Sequence, residues 1–268
     1  MHRTFAGALK QFSPRAVLLC LVAHALPGLA FQPLLTDDTG TQGSAANQLE
    51  FSFNEDRAKT ADDLVRVQTL PFVYTRGLSE NVDVFAGLGY SRIRASGASG
   101  SGYGNPSLGA KWRFYDDEAN KTSLALKPEV IFPVSAGRED GGLGSGKTSG
   151  DLTAILTQEV PFGALHFNVG VARDRYRDTL ANPDTTTWRA SLAPVWDVSE
   201  QWKLALDVGS ESARSAERTT RANYGELGAI YSPGKDLDFA LGCIRRSDNA
   251  SPHTTTNTVT AGLTWRFQ

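Results

Sequence analysis

The chain has little of what most enzymes and metalloproteins are built from. It carries two cysteines, one methionine and four histidines in 268 residues. Cys20 lies in an N-terminal leader, which leaves Cys243 alone in the mature chain, so no intramolecular disulfide can form. So few sulfur and imidazole groups leave little material for a metal site, and no cofactor is expected. A basic excess is also missing. The 27 Lys and Arg against 29 Asp and Glu give a net charge of −2, which argues against a nucleic-acid partner. Beyond the leader there is no apolar run of the ~18–20 residues that a membrane-crossing helix needs. A membrane β-barrel is not excluded by that absence. Its lipid-facing and lumen-facing residues alternate, so its mean hydropathy stays near that of a soluble chain, and here it is −0.28.

The leader itself is legible. Residues 1–15 carry Arg3, Lys10 and Arg15 and no acid, and residues 16–26 (AVLLCLVAHAL) form an apolar core. Pro27 and then Gly28-Leu29-Ala30 follow, with small residues at the −3 and −1 positions before Phe31. This is the pattern of a secretory signal peptide over residues 1–30, cleaved after Ala30. A membrane anchor is opposed by the shortness of the run and by His24 and Pro27. A lipoprotein site is opposed by Leu19 before Cys20, where a small residue is wanted. Export to the envelope of a diderm bacterium is expected.

From Gln48 onward the apolar period is two, not 3.6. Val82, Val84, Ala86, Leu88 and Tyr90 alternate with Asp83, Phe85, Gly87, Gly89 and Ser91. Val259, Ala261, Leu263, Trp265 and Phe267 do the same with Thr258, Thr260, Gly262, Thr264 and Arg266. The spacing predicts strands over 47–56, 63–75, 82–94, 105–115, 122–133, 150–160, 164–176, 186–198, 202–213, 221–232, 236–247 and 255–267. Many have the ~9–11 residues that cross a tilted barrel wall. The connections alternate between short ones (77–81, 116–121, 161–163, 199–201, 233–235) and polar, mostly longer ones (56–62, 95–104, 134–149, 177–185, 213–220, 248–254). That asymmetry fits tight periplasmic turns and larger external loops. The expected fold is therefore all-β: a transmembrane, antiparallel, up-and-down barrel of about twelve strands, occupying residues 47–268 in the bacterial outer membrane. Two places resist the pattern. Arg66 and Gln68 fall on the apolar face, which suggests a bulge or a strand end outside the bilayer, and the alternation fails at Arg245 and Arg246.

A soluble sandwich or lipocalin-like barrel, with its apolar face inward, is the competing architecture. Aromatics near strand ends (Phe72, Tyr74, Tyr115, Trp196, Trp202, Tyr231, Trp265, Phe267) favour the membrane form, because interfaces gather such girdles. The ending Gly262-Leu263-Thr264-Trp265-Arg266-Phe267 resembles the assembly signal of outer-membrane proteins. It points to the barrel assembly machinery as a partner through Gly262, Leu263, Trp265 and Phe267, although Gln268 follows Phe267.

The segments 33–43 (PLLTDDTGTQG), 105–115 (NPSLGAKWRFY), 124–134 (LALKPEVIFPV) and 150–170, with its FGALHFNVG run, together resemble the MetA-pathway phenol-degradation family of outer-membrane transporters. The resemblance spans nearly the whole mature chain. It implies a barrel that passes small, often aromatic or apolar, compounds, and it brings no catalytic residues with it.

Strand parity places Lys111, Arg113, Lys127, Glu129, Glu159, His166, Arg189, Asp197, Lys203, Asp207, Glu226, Asp238 and Arg266 on the inner face. Lys111 or Arg113 is expected to pair with Glu129, since opposed residues lie ~5 Å apart. These charges either brace a narrow barrel or set the polarity of a conduit. Residues 31–46 form an N-terminal segment that either remains in the periplasm or plugs the lumen, with Asp37 and Asp38 meeting lumenal cations. An outer-membrane hydrolase would need a Ser beside His166, and no local motif supports one, so the chain is not expected to be an enzyme. The stretch Gly141…Gly146-Lys147-Thr148 matches phosphate-loop spacing, but that motif works only between a strand and a helix. It is read as a flexible external loop. The expected function is passive movement of a small solute, through the lumen or sideways into lipid, by a monomer held in outer-membrane lipid. The alternative is a sealed structural or surface-interaction barrel.

Overall fold

The computed structural model describes residues 33–60, 63–95, 98–180 and 182–268. The expected signal peptide lies outside these residues. The elements in chain order are β1 (Asn47–Lys59), β2 (Leu64–Ser79), β3 (Val82–Ala95), β4 (Ala98–Tyr103), β5 (Ser107–Asp117), β6 (Thr122–Ile131), α1 (Ala136–Asp140), β7 (Ser149–Val160), β8 (Gly163–Asp174), β9 (Thr185–Asp197), β10 (Trp202–Arg214), β11 (Thr219–Gly234), β12 (Leu237–Asp248) and β13 (Thr255–Phe267). Twelve of these strands close a ring. Each pairs antiparallel with its neighbours, and β1 meets β13 along its full length, from Asn47↔Phe267 to Lys59↔Thr255. Closure satisfies the backbone of every wall strand without an open edge, which a bilayer demands.

β4 stands outside the ring. It folds back on the external half of β3, pairing from Tyr90↔Tyr103 to Ala95↔Ala98. β3 therefore meets β5 only from Val82↔Trp112 to Gly87↔Ser107, the shortest run of pairing in the ring. The expected connection over 95–104 therefore contains a strand. Its Ser and Gly residues carry no alternation that would reveal a strand.

Side chains alternate between an exposed outer face and a buried inner one. On β2, Leu70, Phe72 and Tyr74 point out while Val65, Val67, Thr69 and Val73 point in. The outer face carries a belt that includes Phe51, Phe53, Leu88, Leu152, Leu192, Leu227 and Leu241, all well exposed. In water each such side chain would forgo roughly 1.5–3 kcal/mol of burial; in lipid it does not. The belt is thus a bilayer surface, and the fold is that of a bacterial outer-membrane barrel. At the end with the short turns, aromatics pair along the wall, as in Trp202–Tyr231 (4.8 Å) and Trp265–Phe267 (4.7 Å).

Of the local expectations, one is narrowed to its second alternative and others are corrected. Arg66 and Gln68 involve no bulge, because the β1–β2 register runs unshifted through them. They lie at the strand's external end, beside Glu55. Alternation also holds at Arg245, which is exposed, and Arg246, which points in and pairs with Glu211. The segment expected as a flexible external loop over 134–149 contains α1, and its residues 142–146 are buried. The order there is helix, loop, strand, the reverse of what a phosphate loop needs.

Candidate functional site: the inner face and its strap

Residues 33–43 cross the interior as a strap, tied to successive strands. Pro33 and Leu34 seat against β9–β12. Leu34 packs with Ala193, Val195 and Ala205, and a Cβ at Gly228 or Gly242 would meet Pro33 at 2.8 and 3.1 Å, so these glycines make the seat. Thr36 then donates from its N–H and its hydroxyl to the two carboxylate oxygens of Asp207, both at 2.7 Å. Tyr224 donates to the same carboxylate at 3.0 Å. Asp37 lies between Lys127 (2.6 Å) and Lys111 (2.9 Å), with all three side chains largely buried. Asn168, in the amide orientation that satisfies both partners, accepts from Asp37 N–H and donates to Asp37 C=O. Thr39 N–H donates to the Thr157 hydroxyl at 3.1 Å, and the Thr39 hydroxyl meets Ser123 at 2.5 Å. Gln42 N–H donates to both oxygens of Asp83. Burial alone would raise the Asp37 carboxyl, but the two ammoniums outweigh it and hold it below the ordinary aspartate value.

The expected partnership of Lys111 or Arg113 with Glu129 is not what the strands make. The β5–β6 register puts Gly109 opposite Glu129 and Trp112 opposite Leu126, which brings Lys111 level with Lys127. Two cations side by side repel, and Asp37 supplies the anion between them. Arg113 instead pairs with Asp116 on its own strand, next to a bulge between Arg113 and Tyr115. Asp38 lies 3.9 Å from Lys111, which also donates to the Asp38 carbonyl at 3.0 Å.

The remaining inner-face charges sort by height. At the short-turn rim, Lys203 pairs with Asp197, Arg266 with Asp238 and Lys121 with Glu159. Deeper in, Arg189 pairs with Asp151 on the inner face of the β7–β9 wall. Glu226 lies opposite Asp207 across β10–β11, with no hydrogen-bond partner at its carboxyl oxygens among the described residues. His166 is buried and shares a 3.0 Å hydrogen bond with Thr157, the hydroxyl that also receives Thr39. That pairing ties strap to wall and places a threonine where the hydrolase reading wanted a serine. Among the described residues no cluster fit to hold a metal is present.

Toward the external mouth the inner face changes character. Ala58, Val65, Val67 and Ile93 form a buried apolar cluster, and Leu143 from the β6–β7 connection packs into it. The connection is held down by polar ties. The Glu139 carboxylate accepts from Arg177 N–H at 2.8 Å, and Asn105 bridges the carbonyls of Phe132 and Ser145 while accepting from Ser145 N–H.

The family described as "Putative MetA-pathway of phenol degradation" matches residues 33–267. The chain belongs to that family. No curated protein matches the sequence. Among solved structures, an outer membrane channel from Pseudomonas putida F1 is 14% identical with a TM-score of 0.71, covering 86% of this chain and 98% of that one. The β domain of the Bordetella autotransporter BrkA (15%, TM-score 0.55, 84% and 100% covered) and the translocator domain of the autotransporter NalP from Neisseria meningitidis (14%, 0.53, 85% and 91%) are also similar. At these identities the likeness shows the fold. In this phenol-degradation family member the match begins at Pro33, so it takes in the strap as well as the barrel. Parity could have found Glu50, Asp83, Asp151, Glu211 and Tyr224 on the inner face, since all fall on the same alternation as the residues singled out. Thr36, Thr39 and Glu139 carry no sequence signal, because their partners come from distant strands and loops.

Proposed function

We propose that the protein is an outer-membrane channel that passes a small apolar or aromatic solute passively. The solute enters at the external mouth and leaves sideways into lipid above the β3–β5 pairing. The apolar cluster of Val65, Val67, Ile93 and Leu143 above an ion-paired strap carries this reading. An apolar solute gains about 25 cal/mol per Å² of surface buried in such a site, and a charged one gains nothing there.

Magnitudes separate the two exits. Passage down the lumen requires the strap to move, which parts Asp37 from two buried lysines and Thr36 from Asp207. Breaking a single buried ion pair costs about 3–5 kcal/mol. Above Gly87 the edge of β3 is held by β4, so the wall beside β5 is closed by the connecting chain 104–106 and the β6–β7 connection that packs on it. That chain is held by neutral hydrogen bonds, those of Asn105 with Phe132 and Ser145, Gly104 N–H to Gly89 C=O at 2.9 Å and Phe132 N–H to Pro106 C=O at 2.8 Å, each worth about 1 kcal/mol net and none leaving a buried charge when it opens. Leu108, Val130 and Phe132 are exposed on the outer face beside it, so an opening there meets lipid. The step involves no cofactor and no bond making. A single chain closes the barrel, which supports a monomer. The outward Leu263, Trp265 and Phe267 on the closing strand β13, with Gly262 beside them, support recognition by the barrel assembly machinery.

The test is solute uptake by proteoliposomes. Uptake of a small aromatic such as toluene or phenol above protein-free vesicles, with little uptake of charged solutes of like size, is expected. A second reading, a sealed structural barrel, is favoured by the strap lying across the interior; uptake equal to protein-free vesicles for every solute would establish it instead.

A further inference from the structure

The outer face carries a row of arginines just above the lipid belt, and it serves no role in the transport reading. On β1, β2 and β3 the continuous outward apolar belt ends at Phe53, Leu70 and Tyr90, with Leu64 alone beyond the row at the start of β2. Beyond them the register aligns Arg57 opposite Arg66 and Arg66 opposite Arg94. Asn257 continues the row on β13 and Arg245 on β12. Arg92 lies one layer below, level with Gln68. Like charges directly opposite across a sheet repel, yet here three arginines stand in line on adjacent strands. One outward carboxylate, Glu55, serves Arg57 at 2.6 Å and Arg66 at 3.7 Å. Among the described residues no carboxylate pairs with Arg92, Arg94 or Arg245. On the far wall, Gly150 and Leu152 on β7 and Thr186 and Trp188 on β9 are uncharged at the outward external positions, and Arg173 on β8 between them pairs with Asp184 at 3.9 Å.

We infer that this row, Arg57, Arg66, Arg94 and Arg245 with Arg92 beneath it, is a binding site for the phosphate-bearing headgroup of an outer-leaflet glycolipid. Three features point to a lipid. The cations are all arginines, whose planar fork matches phosphate oxygens two at a time. They stand in line across five adjacent strands, roughly 19 Å at the usual strand spacing, wide enough for a headgroup with more than one phosphate. Phe53, Leu70, Tyr90 and Val259 lie directly below on the same face, so a lipid whose phosphates meet the row lays its acyl chains on the belt. The bound anion also relieves the repulsion within the row.

The experiment compares binding of bisphosphorylated lipid A, and of the same lipid after phosphatase treatment, to the whole mature protein in detergent. The wild type is expected to prefer the phosphorylated form. Each arginine facing an anionic headgroup contributes about fivefold in affinity. The R57Q/R66Q/R94Q variant should therefore lose binding by on the order of a hundredfold, while Arg214→Gln, outward on β10, should not change it. Folding of the triple variant is checked by its unheated gel mobility. If it fails to close, Arg94→Gln alone decides, with a loss of about fivefold expected. Equal binding of both lipid forms, retained binding by the folded triple variant or by Arg94→Gln, or full displacement of the lipid by equimolar inorganic phosphate would each overturn the assignment.

Discussion

In the periplasmic half of the barrel the inner wall meets residues 33–43 through buried charges and hydroxyls, whereas in the external half it meets Leu143 mainly through aliphatic side chains. The two contacts differ in how they can be exchanged. The strap is held by directional bonds, and losing one partner leaves a buried charge uncompensated. The Leu143 cluster is held by non-directional burial, so a solute of similar size can take the place of the side chain. One half of the interior is thus held by directional bonds, and the other, which the proposed transport would use, by burial alone.

The largest expected effect comes from breaking the directionally bonded half. Asp37→Asn withdraws the anion between Lys111 and Lys127 and should weaken strap docking by about 3–5 kcal/mol. Protease cleavage within 33–43 and ion conductance in planar bilayers should both rise; a variant as resistant and as tight as wild type would mean the strap does not depend on this charge.

Next in size is the apolar half. Leu143→Ala should cost about 2–5 kcal/mol in the packing of the β6–β7 connection. It should alter uptake of an aromatic solute while leaving ion conductance at the wild-type level. A change in conductance alone would place Leu143 with the strap.

A smaller effect follows for Thr39→Val, which removes one hydroxyl contact with Ser123. It should loosen the strap by about 1 kcal/mol, visible as slightly faster amide exchange at 39–42.

The smallest effect is that of pH. Asp37 is depressed in the folded protein, so its contribution is fully present above the ordinary value of 3.8 and is lost only as pH falls below it. Strap-dependent conductance should therefore stay flat from neutral pH down to about 4 and rise in stronger acid. A midpoint near neutrality would assign strap docking to another group.

Much of this comparison was readable in the sequence and part of it was not. Alternation such as Val82-Asp83-Val84-Phe85 fixes which residues face lipid, and loop lengths fix the barrel's direction, because both follow from a period of two and from turn geometry. Register is a different matter. The bulge between Arg113 and Tyr115 leaves no composition signal, so Lys111 could be placed on the inner face but not beside Lys127. Asp37 and Asp38 were candidates for meeting lumenal cations, yet which cations depended on that register. β4 and α1 are not legible in the sequence, because the Ser-Gly-rich β4 forms by pairing with β3 and the five-residue α1 is held by Glu139 on Arg177 rather than by local preference.

The most direct test asks whether cargo can pass while the strap stays docked. The Thr36 and Ser191 hydroxyls lie 2.7 Å apart, so T36C/S191C in a Cys243→Ser background should form a disulfide that locks the strap to β9. Toluene uptake by proteoliposomes of this variant is measured oxidised and then reduced. The account predicts the same uptake in both states; uptake that stops on oxidation and returns on reduction would contradict it and send the solute down the lumen.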